Sequence, residues 1–82
     1  MKVTGIRGKT SYIKFATDKG VFTGKGELLT SGFCVYCDSL SDENGVPVNE
    51  NTEKELVGAV NEYTKKYCPK FRVVFERPTK NA

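Results

Sequence analysis

The sequence predicts an α+β fold: an antiparallel sheet of four to five strands with one helix packed on one face, in the order β-β-β-β-α-β. Apolar and polar residues that alternate with a period of two, between short glycine-containing turns, predict strands in the first half of the chain. From residue 56 to residue 67 apolar residues recur every three or four positions, which predicts an amphipathic helix. Because 82 residues make one domain, we assign the fold to residues 1–76 and expect residues 77–82 to be a frayed C-terminal tail.

The strands of the first half are joined by two short turns, at residues 18–20 and 30–32, whose glycines suit such turns. The predicted strands cover residues 2–7, 11–17, 21–29 and 33–38. A polar loop is expected at residues 40–49, which contain a glycine and a proline. Gly24 and Gly26 share one face of the strand at 21–29, where they predict that the sheet curls over the helix.

The helix has start and stop signals. Asn51 or Thr52 is expected to cap it, and Thr52 with Glu55 matches a capping box. Pro69 ends the helix. Its apolar stripe consists of Leu56, Val60, Tyr63 and Tyr67. Residues 70–76 then predict a final strand, whose position in the sheet the alternation does not determine. The residues of this strand expected to face the core are Phe71, Val73 and Phe75.

Charge is segregated along the chain. Residues 38–55 hold six of the ten acidic residues and only one basic residue, Lys54, a net charge of −5, whereas the remainder carries +8. Such a distribution gives a small protein a directional field that steers it to a partner of opposite sign. The acidic residues expected to contact a partner are Asp38, Asp42, Glu43, Glu50 and Glu53. The alternative interpretation is that these acidic residues lie in a solvated loop and stabilise the N-terminus of the helix through its dipole.

The absence of histidine and of a regular metal-binding loop argues against catalysis. The chain has no histidine, which is the commonest general base and a frequent metal ligand. Asp42 to Gly45 resemble a fragment of a calcium loop but lack its regular ligand spacing. We therefore predict a protein that is not an enzyme and that uses neither a cofactor nor a metal ion.

Cys34 and Cys37 have the CxxC spacing of redox and zinc sites. In a strand, however, residues three apart point to opposite faces, with Cα atoms about 10 Å apart, beyond the roughly 7 Å limit of a disulfide. We interpret these cysteines as structural. With Cys68 they make an odd number, which fits reduced thiols in the cytoplasm. No apolar run reaches the roughly 20 residues of a membrane span, and the N-terminus lacks the hydrophobic stretch of a signal peptide, so a cytoplasmic location is expected.

Basic residues interleaved with aromatic residues support an alternative function, a small nucleic-acid-binding module that uses a sheet face. The residues concerned are Lys9, Tyr12, Lys14, Lys25, Lys70 and Arg72. The aromatic motifs of RNA-binding sheets and the GxxG loop of the KH fold are not evident. A third reading, a structural accessory subunit, predicts self-assembly.

Three stretches together resemble a known family: Tyr12-Ile-Lys-Phe15, then Phe22-Thr-Gly-Lys-Gly-Glu-Leu-Leu29, then Gly32-Phe-Cys-Val-Tyr36 before a helix with an acidic start. They resemble small immunity proteins of bacterial polymorphic-toxin systems, such as those of contact-dependent growth inhibition, over roughly residues 6–66. The resemblance implies a cytoplasmic inhibitor that binds the C-terminal toxin domain of a sibling cell and blocks its active site. Such toxins are frequently nucleases. The net charge of +3 departs from the acidic character common in nuclease inhibitors, so complementarity to a nuclease must be local.

Overall fold

The computed structural model describes residues 1–77 and confirms the predicted α+β fold. The helix and strands, in chain order, are β1 (Val3–Gly8), β2 (Tyr12–Thr17), β3 (Gly20–Leu29), β4 (Gly32–Tyr36), β5 (Ser41–Asp42), α1 (Glu50–Tyr67) and β6 (Arg72–Glu76). The sheet order is β1-β2-β3-β4-β6, and the short strand β5 pairs with β3. Apart from Arg77, the tail predicted to fray lies outside the described residues.

The last strand makes the sheet mixed rather than wholly antiparallel. Pairs from β1 to β4 are antiparallel, as the short turns predicted, whereas β6 pairs with β4 in parallel, from Gly32 with Arg72 to Tyr36 with Glu76. Two parallel strands need a long crossover, and the connection through β5 and α1 supplies it. The position of β6 therefore follows from the packing of α1, which alternation in the strand itself does not reveal.

The strand predicted at residues 33–38 ends two residues early, because Cys37–Ser39 turn into a 3₁₀ helix. The Ser39 hydroxyl replaces the missing strand partner: it accepts a hydrogen bond from the Lys25 N–H at 2.7 Å. The chain then returns to the edge of β3 as β5, where Asp42 pairs with Phe22 and Ser41 with Thr23. The start of the predicted polar loop is therefore a short strand.

The curl predicted at the two glycines is confirmed by close packing around β3. A Cβ atom at Gly24 would lie 2.8 Å from Cγ1 of Val35. A Cβ atom at Gly26 would lie 1.8 Å from the carbonyl oxygen of Cys34, on the neighbouring strand β4. Residues that carry a side chain do not fit at this approach, so the two glycines let β4 and Leu40 pack against β3.

The helix begins earlier than predicted. Asn49 is its N-cap, and its side chain accepts a hydrogen bond from the Thr52 N–H at 2.7 Å, so the predicted cap at Asn51 or Thr52 is wrong. The end at Tyr67, shortly before Pro69, agrees with the sequence pattern. Tyr67, predicted in the apolar stripe, is 59% exposed, because it lies one turn past the buried stretch and packs on the Tyr63 ring at 5.0 Å.

The core lies between α1 and one face of the sheet, and no helix within residues 1–77 covers the opposite face. The buried apolar residues that form this core are Val3, Ile13, Phe15, Phe22, Phe33, Val35, Leu40, Leu56, Ala59, Val60 and Val73. Phe71 and Phe75 pack against it half-buried, so the final strand faces the core as predicted. Within residues 1–77, no helix has the length and the apolar content that a bilayer span requires.

Candidate functional site

The acidic segment lines an open groove where β5, the loop after it and the start of α1 meet the turn between β2 and β3. The groove has a volume of about 450 Å³. Its acidic residues are Asp42, Glu43 and Glu55, and its apolar residues include Phe22, Val46 and Val48. We call this surface the acidic groove. It combines charge with apolar area, the two components that protein interfaces use.

Asp42 shapes the loop that borders the acidic groove. Its Oδ1 atom accepts hydrogen bonds from the N–H groups of Asn44, at 2.9 Å, and Val46, at 3.0 Å. The Asp42 N–H donates to the Val46 carbonyl at 2.9 Å, and Gly45 turns the chain with a φ of +81°. These bonds close the loop and hold the Val46 side chain outward, 55% exposed. An apolar side chain is thus presented to solvent on a hydrogen-bonded loop.

Glu43 lies above the turn between β2 and β3. A Cβ atom at Gly20 would meet its Oε1 atom at 2.6 Å, so the glycine leaves the space that the carboxylate uses. Gly20 also has a φ of +115°, which other residues rarely adopt. Among residues 1–77, neither Glu43 nor Asp42 forms a salt bridge. Their charges therefore remain available to a partner.

Two other acidic residues are partly neutralised by exposed ion pairs. Glu55 lies 3.4 Å from the Lys19 ammonium and 3.7 Å from the N-terminal amine of Met1. Glu50 lies 3.8 Å from Lys54, one helical turn away, and is not among the residues that line the acidic groove. Exposed pairs of this kind contribute about 0–1 kcal/mol, so a basic partner can replace them at little expense.

Glu53 differs from the other predicted contact residues, because it is only 8% exposed. Its carboxylate forms an ion pair with Arg77, which ties the end of β6 to the start of α1. A carboxylate committed to this internal pair does not face a partner, so we correct its assignment as a contact residue. Asp38 is exposed on the 3₁₀ turn, outside the acidic groove. Of the five predicted residues, the structure brings Asp42 and Glu43 together in the groove.

The cysteines are free thiols in separate environments. Cys34 lies on β4, where partial burial and its 3.2 Å contact with the Glu76 carboxylate raise the pKa of the thiol. Cys37 lies on the 3₁₀ turn, where burial raises the pKa of its thiol, with a further contribution from Glu53. A raised pKa opposes formation of the reactive thiolate. Within residues 1–77 no three acidic or cysteine side chains form a group that could hold a metal ion.

Part of the predicted basic surface is contiguous. Tyr12 and Lys25 pair across β2 and β3, and Arg7 and Lys14 pair across β1 and β2. The Lys9 ammonium lies 5.8 Å from the centre of the Tyr12 ring. All five residues are exposed, and we call them the basic patch. The other two predicted members, at positions 70 and 72, lie at the far edge, since β6 is three strand spacings, roughly 14 Å, from β2.

Sequence reasoning missed the apolar members of the acidic groove. Val46 stands between Gly45 and Pro47, and Val48 follows directly, so two apolar residues beside turn residues are the signal in the sequence. Lys19 and Glu55 are far apart in sequence, and no local pattern indicates that they meet. No protein-family model, no curated protein and no solved structure matches this chain.

Proposed function

We propose that this chain is an immunity protein that binds the C-terminal toxin domain of a cognate bacterial toxin and neutralises it by stoichiometric protein–protein inhibition, without catalysis of its own. The observation that supports this proposal best is the acidic groove, where Asp42 and Glu43, neither of which forms an ion pair within residues 1–77, line the same surface as the exposed Val46 side chain. As an immunity protein it acts in the cytoplasm, where an incoming toxin domain reaches its target.

The acidic groove fits a partner with a basic cleft. Nuclease domains have such clefts because they hold phosphates, and a nuclease is therefore the toxin class that we propose. Asp42 and Glu43 attract the basic surface and select the partner, and Val46 acts as an apolar anchor that slows dissociation. Glu50 and Asp38, both exposed, lie outside the groove and add to the attraction at longer range.

The groove is the centre of a larger contact. A standard interface covers about 800 Å² on each partner, or roughly one seventh of this chain's surface of 5696 Å². The proposed contact therefore extends from the groove over the neighbouring exposed parts of β5, the loop around Gly45 and the first turn of α1.

The test uses the C-terminal domain of a large secreted protein encoded beside this chain. We expect co-expression to protect cells from that domain, the purified pair to have one copy of each chain, and the domain's activity to fall to zero at one equivalent. The matched variants are Glu43→Lys in the groove and Glu62→Lys on the exposed side of α1, which change the net charge equally. Protection that survives Glu43→Lys combined with Asp42→Lys and Val46→Asp would exclude the groove, and activity that persists at excess of this chain would exclude the function.

The basic patch favours a second candidate, the nucleic-acid-binding module. Tyr12 offers a ring for base stacking beside Lys9, Lys14 and Lys25. Gel shifts with single- and double-stranded RNA and DNA at about 50 mM salt test this candidate, because phosphate neutralisation is strongest at low salt. Binding that weakens in a Lys14→Glu, Lys25→Glu variant supports it, and no shift at that salt concentration excludes it.

A further inference from the structure

Strand β6 leaves one backbone edge without a partner in the described part of the chain. It is the last strand of the sheet and pairs only with β4 among residues 1–77. The Arg72 N–H donates to the carbonyl of Ser31 at 3.0 Å, so the backbone groups of Arg72 point toward β4. Because these groups alternate along a strand, those of Val73 and Phe75 point to the open edge. Four hydrogen-bonding groups of β6 are thus directed away from the sheet.

The two edge strands of the sheet, β1 and β6, differ in how well they are protected against pairing with another chain. Strand β1 has an irregular register between Val3 and Gly5 and ends at Gly8, beside the charged Lys9. Bulges and lysines are features that keep an edge from pairing with another chain. Strand β6 has a continuous register over all five residues, contains neither glycine nor proline, and exposes 39% of Val74 at its centre. The protection that the β6 edge retains is therefore its short length and its charged ends, Arg72 and Glu76.

The sequence of β6 is complementary to itself. When two copies of Arg72–Glu76 are aligned antiparallel about Val74, each Arg72 stands opposite Glu76 of the other copy. Val74 then stands opposite Val74, on the open face of the sheet. On the core side, Val73 stands opposite Phe75. Opposite charges and apolar residues in these positions stabilise an antiparallel pair.

The directions of the backbone hydrogen-bonding groups agree with this alignment. Val73 and Phe75, whose backbone groups point outward, form the hydrogen-bonded pairs, which gives four bonds across the two-fold axis. Arg72 and Glu76 form the non-hydrogen-bonded pairs, in which side chains lie closest. Among residues 1–77 the Glu76 carboxylate accepts one side-chain hydrogen bond, from the Cys34 thiol at 3.2 Å, and forms no ion pair, so this weak bond is easily exchanged for a guanidinium. Side chains and backbone thus select the same register.

We propose that two copies of this chain associate through their β6 edges and form one continuous sheet across a two-fold axis. The contact involves a single short strand from each copy, less than the roughly 1,200 Å² of a standard interface, so the dimer forms at high protein concentration. None of the residues that line the acidic groove belongs to β6 or β4, and a dimer leaves the groove open on each copy. This inference does not depend on the proposed function.

The test is a charge-swap series measured by sedimentation equilibrium, from about 10 µM to 1 mM protein, on the full chain. We expect the wild type to pass from one copy to two over this range. Arg72→Glu or Glu76→Arg places like charges opposite each other twice, and each should weaken association at least about tenfold. The double variant Arg72→Glu, Glu76→Arg restores opposite charges and should restore the dimer. Arg7→Glu, exposed on the protected edge, is the control and should leave association unchanged.

Amide hydrogen exchange supplies a second readout. The Val73 and Phe75 N–H groups should become protected as the protein concentration rises, and those of Arg72 and Val74 should be protected at every concentration. A protein that remains a single copy at about 1 mM would overturn the proposal. A dimer that Arg72→Glu does not weaken, or that the double variant does not restore, would overturn it equally, since the association would then use another surface.

Discussion

Substitution of Gly26 by alanine tests the close approach of β3 and β4. A Cβ atom at this position would lie 1.8 Å from the Cys34 carbonyl oxygen and 3.0 Å from Cε1 of Phe33. Ordinary contacts begin near 3.4 Å, so the strands would have to separate by more than an ångström. This movement breaks the pairing of Gly26 with Val35 and loosens the packing of Phe33, which is fully buried. Overpacking typically costs about 1–3 kcal/mol, and we expect a value at the upper end of this range because the clash is with backbone.

This loss in the free energy of unfolding is large for a domain of this size. At the usual stability per residue, 82 residues give roughly 4–12 kcal/mol in total. Gly58→Ala is the matched control, because a Cβ atom at Gly58 meets nothing within 4 Å and the position lies inside α1. There alanine should stabilise the protein by about 0.5–1 kcal/mol. Urea unfolding followed by circular dichroism measures both, and a Gly26→Ala variant as stable as the wild type would show that the strands do not approach this closely.

Three further substitutions or reactions test local features. Asn49→Ala removes the cap on the Thr52 N–H and should lower the free energy of unfolding by about 1 kcal/mol in the same urea assay. The Lys2 N–H, 2.7 Å from Asp18, holds the pKa of that carboxyl below its ordinary value of 3.8, so its stabilisation is present at neutral pH and is lost as the pH falls through the lowered pKa. Asp18→Asn should therefore destabilise the protein at about pH 7, and this difference should disappear near pH 2. Burial raises the pKa of the Cys37 thiol, and iodoacetamide should modify it only as fast as the protein unfolds, whereas fast labelling of the native protein would show an open site.

Sequence reasoning succeeded where a local pattern decides the structure. The alternation around Ile13 and Phe15 reflects a strand with one face in the core, and both residues are fully buried. The glycines at 24 and 26 indicated the bend, because a strand keeps such residues where another backbone comes close. Helix periodicity indicates where the helix ends but not where it begins, since Asn49, Asn51 and Thr52 can each cap a helix and only the backbone geometry selects Asn49.

The remainder depends on contacts between distant residues. The pairing of β6 with β4 results from the crossover of α1, and the ion-pair partner of the buried Glu53 is Arg77, which follows it by 24 positions. Charge counting along the sequence treats Glu53 and Glu43 alike, although Glu53 is buried and forms an ion pair with Arg77, whereas Glu43 is exposed. Charge counting therefore indicates the acidic character of residues 38–55 but not which of these residues line the groove.

The association rate with the toxin domain tests the central claim most directly. Stopped-flow mixing of that domain with the wild type, with the groove variant Glu43→Lys and with the control Glu62→Lys, at about 20 mM and about 500 mM salt, separates local from overall charge, because both variants change the net charge equally. We expect the groove variant to associate more than about tenfold more slowly at low salt, the difference to shrink at high salt, and the control to remain close to the wild type. Equal rates for the groove variant and the wild type at low salt would contradict the account.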